Sequence, residues 1–249
     1  MFALYAFLFF WLLFAYKAGR WLAGPDDVAV PLRNSDWIIE IETALGFFVE
    51  PEIQRLTQSS GLEPVTTWLY TAVHQPTYVG FFVMLFFIGQ SIFPFVWRWF
   101  WVANFMALPI FWLFPLAPPR LDPTLGLDDP THTTLQLGGS TTWFIESDFR
   151  NVYAAMPSLH VGYPILFATV IFFLLGASRF RWLIWLWPVA MLWAVVASAN
   201  HYVLDVVGGA AVVAASAWLV GAIWPSLERP WARPPRADVT APSDSLATE

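Results

Sequence analysis

The sequence predicts an all-α polytopic membrane protein with six transmembrane helices, an amphipathic surface helix and a long outer loop. Three observations carry this reading. The 249-residue chain is 58% hydrophobic and 12% charged, far more apolar than a soluble domain. Long apolar runs recur at roughly 2–22, 66–93, 97–117, 157–177, 182–200 and 203–225, each close to the ~20 residues a bilayer span requires. The acidic residues before the last run gather mainly in two long connectors, 25–64 and 118–152. Runs of this length argue against the buried core helices of a soluble protein.

The first run reads as a retained span rather than a secretory signal. Met1 is followed at once by apolar residues, Lys17 and Arg20 come after the run, and no small-x-small cleavage site precedes them. The 25–64 connector holds Asp26, Asp27, Asp36, Glu40, Glu42, Glu50, Glu52 and Glu63. Within it Trp37, Ile38, Ile41, Leu45, Phe48 and Val49 recur at helical spacing. That pattern predicts an amphipathic helix on the membrane surface, with a small soluble-facing hairpin as the alternative. Segment 118–152 is rich in Pro, Gly, Thr and Asp and longer than ordinary loops, a length that is often functional. The Pro-, Ser- and Arg-rich residues 226–249 read as a disordered cytoplasmic tail, leaving 1–225 as a single membrane-embedded domain.

Six spans place both termini on one side. That side carries Arg98, Arg179, Arg181, Arg229, Arg233 and Arg236; the other carries Lys17, Arg20, Arg33, Arg55, Arg120 and Arg150. The counts tie, but the first set lies in short loops and the tail, where positive charge most strongly marks the cytoplasmic face. Cytoplasmic termini and outer-facing long loops follow as the expectation, in the plasma membrane. A net charge of −6 argues against nucleic acid as a partner. The absence of cysteine excludes disulfides and thiolate metal sites.

Two short stretches carry candidate chemistry. The first is Ala154-Ala155-Met156-Pro157-Ser158-Leu159-His160. Pro157 suits the first position of a helix, which would leave the N–H groups of Ser158, Leu159 and His160 to bind an anion. His160 could act as general acid toward a leaving alkoxide; a plain helix start with an interfacial histidine is the alternative. The second is Asn200-His201-Tyr202-Val203-Leu204-Asp205. Helical neighbours four apart face each other, so Asp205 can hold the His201 imidazole, and a neutral histidine so held is a usable nucleophile. A structural His–Asp pair is the bland reading. A third element, Pro118-Pro119-Arg120, ends in a guanidinium suited to phosphate, or to anchoring at the interface. Together these suggest phosphoryl transfer on a lipid, with no metal and no cofactor.

In these residues the chain resembles the membrane branch of the type 2 phosphatidic acid phosphatase superfamily. More narrowly it resembles the inositol phosphorylceramide synthase-like, or inositol phosphotransferase-like, branch. The carrying residues are Ala117-Pro118-Pro119-Arg120, Tyr153 through His160, and His201 through Asp205, within roughly residues 40–222. The resemblance implies that His201 attacks phosphorus to give a phosphohistidine and Asp205 orients it. It also implies that His160 protonates the leaving group and then activates the acceptor, while Arg120 holds phosphate oxygens. The phosphatase branch has a lysine where this chain has Leu113, an arginine where it has Val195 and a glycine where it has Leu159. Arg150 is a candidate replacement for the missing charge. Asn151, Tyr153 and His74 are candidate pocket residues, His74 being alternatively an interhelical polar residue.

The leading function is therefore a lipid phosphatase or headgroup transferase: a membrane lipid phosphate or phosphodiester as donor, water or an alcohol as acceptor. Loss of two cations tilts the donor toward a phosphodiester, which carries less charge than a monoester. A non-catalytic lipid-binding or scaffold protein is the competing reading. A transporter fits less well, because the ionisable groups cluster at one face rather than at mid-depth.

Overall fold

The computed structural model describes residues 1–130 and 151–232. Among these residues the fold is all-helical, with an isolated parallel bridge between Leu116 and Ala154. Helix α1 is Phe2–Leu22, α2 Ala29–Ala44 and α3 Glu50–Ser59. Helix α4, Glu63–Trp68, runs through a π turn, Leu69–Val73, into α5, His74–Ile88. Then come α6, Phe93–Leu113, and α7, Leu159–Leu174. A 3-10 segment, Arg179–Trp185, leads into α8, Leu186–Ala197, and α9 is Val203–Ile223.

Helices stand at all six expected span positions, but they are not equivalent. Phe2–Leu22, Arg179–Ala197 and Val203–Ile223 have the length and apolarity to cross a membrane. Glu63–Val73 and Pro76–Ile88, meeting at 51°, pass the same test only together, as a broken span or a re-entrant loop. The bend falls where two known causes coincide, the π turn and Pro76. Helix α6 has 21 residues, yet its tryptophans, Arg98 and Asn104 dilute its apolarity. Helix α7 has 16 residues, about 24 Å of rise.

Helix α6 is central. Its Phe100 packs on Tyr163 of α7 with ring centroids 4.8 Å apart, and α5 joins through Phe81 on Phe167 at 4.1 Å. Asn104 Oδ1 accepts from the Tyr163 hydroxyl at 2.6 Å, and Trp99 Nε1 donates to the Val213 carbonyl of α9 at 2.7 Å. Aromatic packing and interhelical hydrogen bonds of this kind hold helices together where lipid removes the hydrophobic drive between them. On the outside, α1 exposes Phe7, Trp11 and Phe14, and α9 exposes Trp218, the surface expected of lipid-facing helices.

The 25–64 connector departs from its expectation in one way. It forms two helices rather than one. Their polar faces point inward. Glu42, Glu50, Gln54, Asn34 and Thr57 are buried, whereas Trp37, Ile41 and Leu45 are exposed. The reason lies in the helix ends that α2 and α3 cover, since terminal N–H and C=O groups lack partners within their own helix. Asn34 Nδ2 donates to the Pro115 carbonyl just after α6 (2.8 Å), and Gln54 Nε2 to the Ala197 carbonyl ending α8 (3.3 Å). Glu42 and Glu50 accept from the Leu204 and Val203 N–H groups that open α9, at 2.7 and 2.9 Å. The first residues expected in the tail are also packed: Trp231 meets Phe95 and Trp99 edge-on, and Arg229 donates to the Gly221 carbonyl. The rest of the tail, from residue 233, lies outside the described residues.

Candidate active site

The site is built at the break between α8 and α9. Ala199 takes a left-handed conformation (φ 52°), uncommon for a residue with a Cβ. It turns the chain so that the N–H groups of Asn200 and His201 both donate to the Val195 carbonyl, at 3.1 and 3.2 Å. Tyr202 then caps α9, and Asp205 sits three residues beyond the cap, wholly buried. One carboxylate oxygen, Oδ2, accepts from the Tyr202 N–H at 2.9 Å and faces His201 Nδ1 at 3.3 Å. The expected pair forms, but not by the expected geometry: His201 lies before the helix, and the carboxylate reaches back to it from the first turn. With Nδ1–H donated to Asp205, Nε2 keeps its lone pair.

That Nε2 lies 3.4 Å from Nδ1 of His160, in the first turn of α7. The His160 ring is held between Tyr70 (centroids 4.4 Å, interplanar 24°) and His74 (4.2 Å, 35°). Both come from the α4–α5 bend, and π turns recur at functional sites for this kind of re-aiming. His74 also stacks on Tyr163 at 5.4 Å and 12°. The structure therefore brings His74, His160 and His201 together.

Ser158 corrects the sequence reading. Helix α7 starts at Leu159 with Ser158 as its cap, and Pro157 lies outside it. The Ser158 N–H is not available to an anion, because it donates to the Asp205 carbonyl at 2.8 Å. It serves instead to lock the two motifs to one another. First-turn N–H groups, which include that of Leu159, have no acceptor within their own helix. The close approach needs Gly209, where an added Cβ would stand 2.1 Å from the Ser158 carbonyl oxygen. We expect Gly209→Ala to destabilise the protein by about 3 kcal/mol and to lose activity with it, as read by thermal denaturation in detergent; unchanged stability would contradict this packing.

Arg120 joins the same place from the segment after α6. Its side chain is 5% exposed. Nε donates to Asn200 Oδ1 at 3.0 Å, and the backbone N–H donates to the Ala199 carbonyl at 3.0 Å. Asp129 Oδ2 stands 3.5 Å from the same Nε, so a loop carboxylate shares the guanidinium that would hold phosphate. Asp129→Asn is expected to tighten inhibition by orthovanadate about fivefold; weaker inhibition would contradict this competition.

Asn151 and Tyr153 have structural contacts. Asn151 Nδ2 donates to the Arg20 carbonyl at 3.0 Å, Asn151 Oδ1 accepts from the Tyr153 N–H, and the Tyr153 carbonyl accepts from Leu116 N–H at 2.7 Å. Arg150 lies outside the described residues. Leu113, at the lysine position of the phosphatases, is 85% exposed at the end of α6, and Val195 is buried against Val161 and Met191. Among the described residues no group of three or more His, Asp or Glu side chains could hold a metal ion.

Sequence reasoning missed the two glutamates behind the site. Glu42 and Glu50 are both buried and share a hydrogen bond. Burial, then that bond, holds the Glu42 carboxyl far above the usual range, at about 9. Their acidity was visible in the sequence; their contact with α9 was not.

The apolar helix bundle thus gathers a buried histidine–carboxylate pair, a second histidine and an arginine in one place. The PAP2 superfamily model matches residues 36–219, and the chain belongs to that superfamily. Membership supports phosphatase-type activity in general. Neither the curated proteins nor the solved structures searched gave a match.

Proposed function

We propose that the chain is an integral membrane lipid phosphotransferase or phosphatase acting through a phosphohistidine on His201. The observation that carries the reading is His201 held between Asp205 at 3.3 Å and His160 at 3.4 Å, with Arg120 bonded to the neighbouring Asn200. His201 Nε2 attacks phosphorus, the bond from phosphorus to the leaving oxygen breaks, and His160 delivers a proton to that oxygen. His160 then takes a proton from water or an alcohol. The acceptor oxygen attacks phosphorus, the P–N bond breaks, and His201 is restored. Arg120 holds the non-bridging oxygens.

Transfer from a phosphodiester, in the manner of an inositol phosphotransferase, is favoured over monoester hydrolysis because Leu113 and Val195 stand where phosphatases carry cations. The proposed topology has six crossings, cytoplasmic termini and a site at the outer face of the plasma membrane. The test is product formation by purified protein in mixed micelles with phosphatidate, an isoprenyl pyrophosphate and phosphatidylinositol. Diacylglycerol released from phosphatidylinositol only with an added alcohol supports transfer, and phosphate release from the monoesters supports hydrolysis. The second reading, a non-catalytic lipid-binding protein, is favoured by the reduced cation set and by Asp129 on Arg120. It predicts no product from any donor.

A further inference from the structure

The missing cations raise the question of what else faces the donor's charge, and α1 offers an answer. Arg20 lies in its last turn, before the matched region begins. Three observations set it apart. Its Nη2 donates to the Asn151 carbonyl at 3.3 Å, tying it to the segment that leads into the His160 motif. Its Nε is buried with no acceptor among the described residues. No carboxylate of the described residues forms an ion pair with it; its guanidinium lies 5.7 Å from the Phe111 ring.

Among the described residues this partly buried cation has one carbonyl and one ring for company, a costly state unless an anion arrives. The surroundings say where that anion would be. Arg20 stands one turn after the buried Tyr16 on α1, whose hydroxyl meets that of Tyr163, the ring that stacks on His74 at 5.4 Å. His74 in turn packs on His160, whose Nδ1 faces the nucleophilic nitrogen of His201. Arg20 thus lies on the α1 side of the histidine cluster, on the segment that leads into the His160 motif, whereas Arg120 lies on the side of Asn200.

We propose that Arg20 is a donor-binding residue, contacting the anionic phosphate of the lipid and replacing a cation that Leu113 and Val195 no longer supply. This rests on the phosphotransferase reading above. A planar fork with an unused Nε–H suits two oxygens of a phosphodiester, and lysine would reproduce its charge but not its fork.

The experiment uses the full chain in detergent and reads orthovanadate binding by calorimetry, with turnover on the best donor as a second readout. Arg20→Ala is expected to weaken vanadate binding at least tenfold and to raise KM more than it lowers kcat, with Tm close to that of the parent. Arg20→Lys is expected to fall between, and methylguanidinium to restore part of the loss in Arg20→Ala. Asn151→Ala, which removes a tie to α1 but no cation, is expected to bind vanadate within about twofold of the parent. Vanadate binding by Arg20→Ala within twofold of the parent overturns the proposal, and so does an equal loss in Asn151→Ala, which marks a structural tie. Absence of saturable vanadate binding by the parent overturns it as well. If Arg20→Ala does not fold, Arg20→Gln and Arg20→Lys carry the same comparison. The reading beneath it fails separately, when His201→Ala retains turnover.

Discussion

His201→Ala is expected to abolish product formation from every donor, with a fall in kcat of at least about 10³-fold. The size follows from covalent catalysis: without the nucleophile there is no phosphoenzyme to divide the reaction into two easier steps. A donor carrying radioactive phosphorus should label the parent in an acid-labile, alkali-stable form and leave His201→Ala unlabelled. Asp205→Asn should lower the rate by a smaller factor, since the ring remains but the tautomer and the charge that favour Nε2 as nucleophile are lost. His160→Ala separates its role from theirs. A leaving group that needs no proton, such as nitrophenolate, should recover much of the activity in that variant, whereas it should not rescue His201→Ala. Turnover by His201→Ala near the parent level would sink the phosphohistidine reading, whatever the other variants do.

The second large effect is expected behind the site. Glu42→Leu should destabilise the protein by about 3 kcal/mol, because the Leu204 N–H loses its acceptor and Glu50 loses its hydrogen-bonded neighbour in a buried place. Glu42→Gln keeps an acceptor of the same shape and should be close to neutral at pH 7. The pH dependence has a definite sign. The Glu42 carboxyl lies at about 9 in the folded protein against an ordinary 4.5. Its contribution to stability is therefore fully present below about 4.5 and is lost as pH rises toward about 9. Thermal denaturation of the parent between pH 5 and pH 9 should show Tm falling, with a flatter dependence in Glu42→Gln. Equal slopes would remove the shared proton from the account. Because this pair opens α9, the helix that carries Asp205, alkaline loss of activity should track the loss of Tm.

The residues of the site were legible because their chemistry is expensive in an apolar setting. Histidines and a carboxylate beside long apolar runs need partners, which marks His201, Asp205 and His160; Arg120 stands out because its guanidinium suits phosphate. Their arrangement was less legible. The four-residue interval between His201 and Asp205 suggested neighbours on a helix; the pair forms instead across a helix cap, because Ala199 and the Val195 carbonyl end α8 just before it. Ser158 looked like an anion donor and became the tie between motifs, a role fixed by Gly209 letting α9 approach. The polar connector was legible only in part. Its apolar stripe predicts one helix on the membrane surface; two helices form there, with Glu42, Glu50 and Gln54 turned inward. Helix ends buried at the site need hydrogen-bond partners that lipid does not provide.

The sequence by itself determined that this is an apolar, helical membrane protein of the PAP2 superfamily with two histidine motifs, because apolar run length and residue chemistry are local properties. Only the tertiary structure decided which groups meet. His74 against His160, Asp129 on Arg120, two glutamates beneath α9 and Arg20 on the Asn151 carbonyl all join segments far apart in the chain. Such contacts follow from how whole helices pack and how their ends are satisfied, and no periodicity within one segment encodes them.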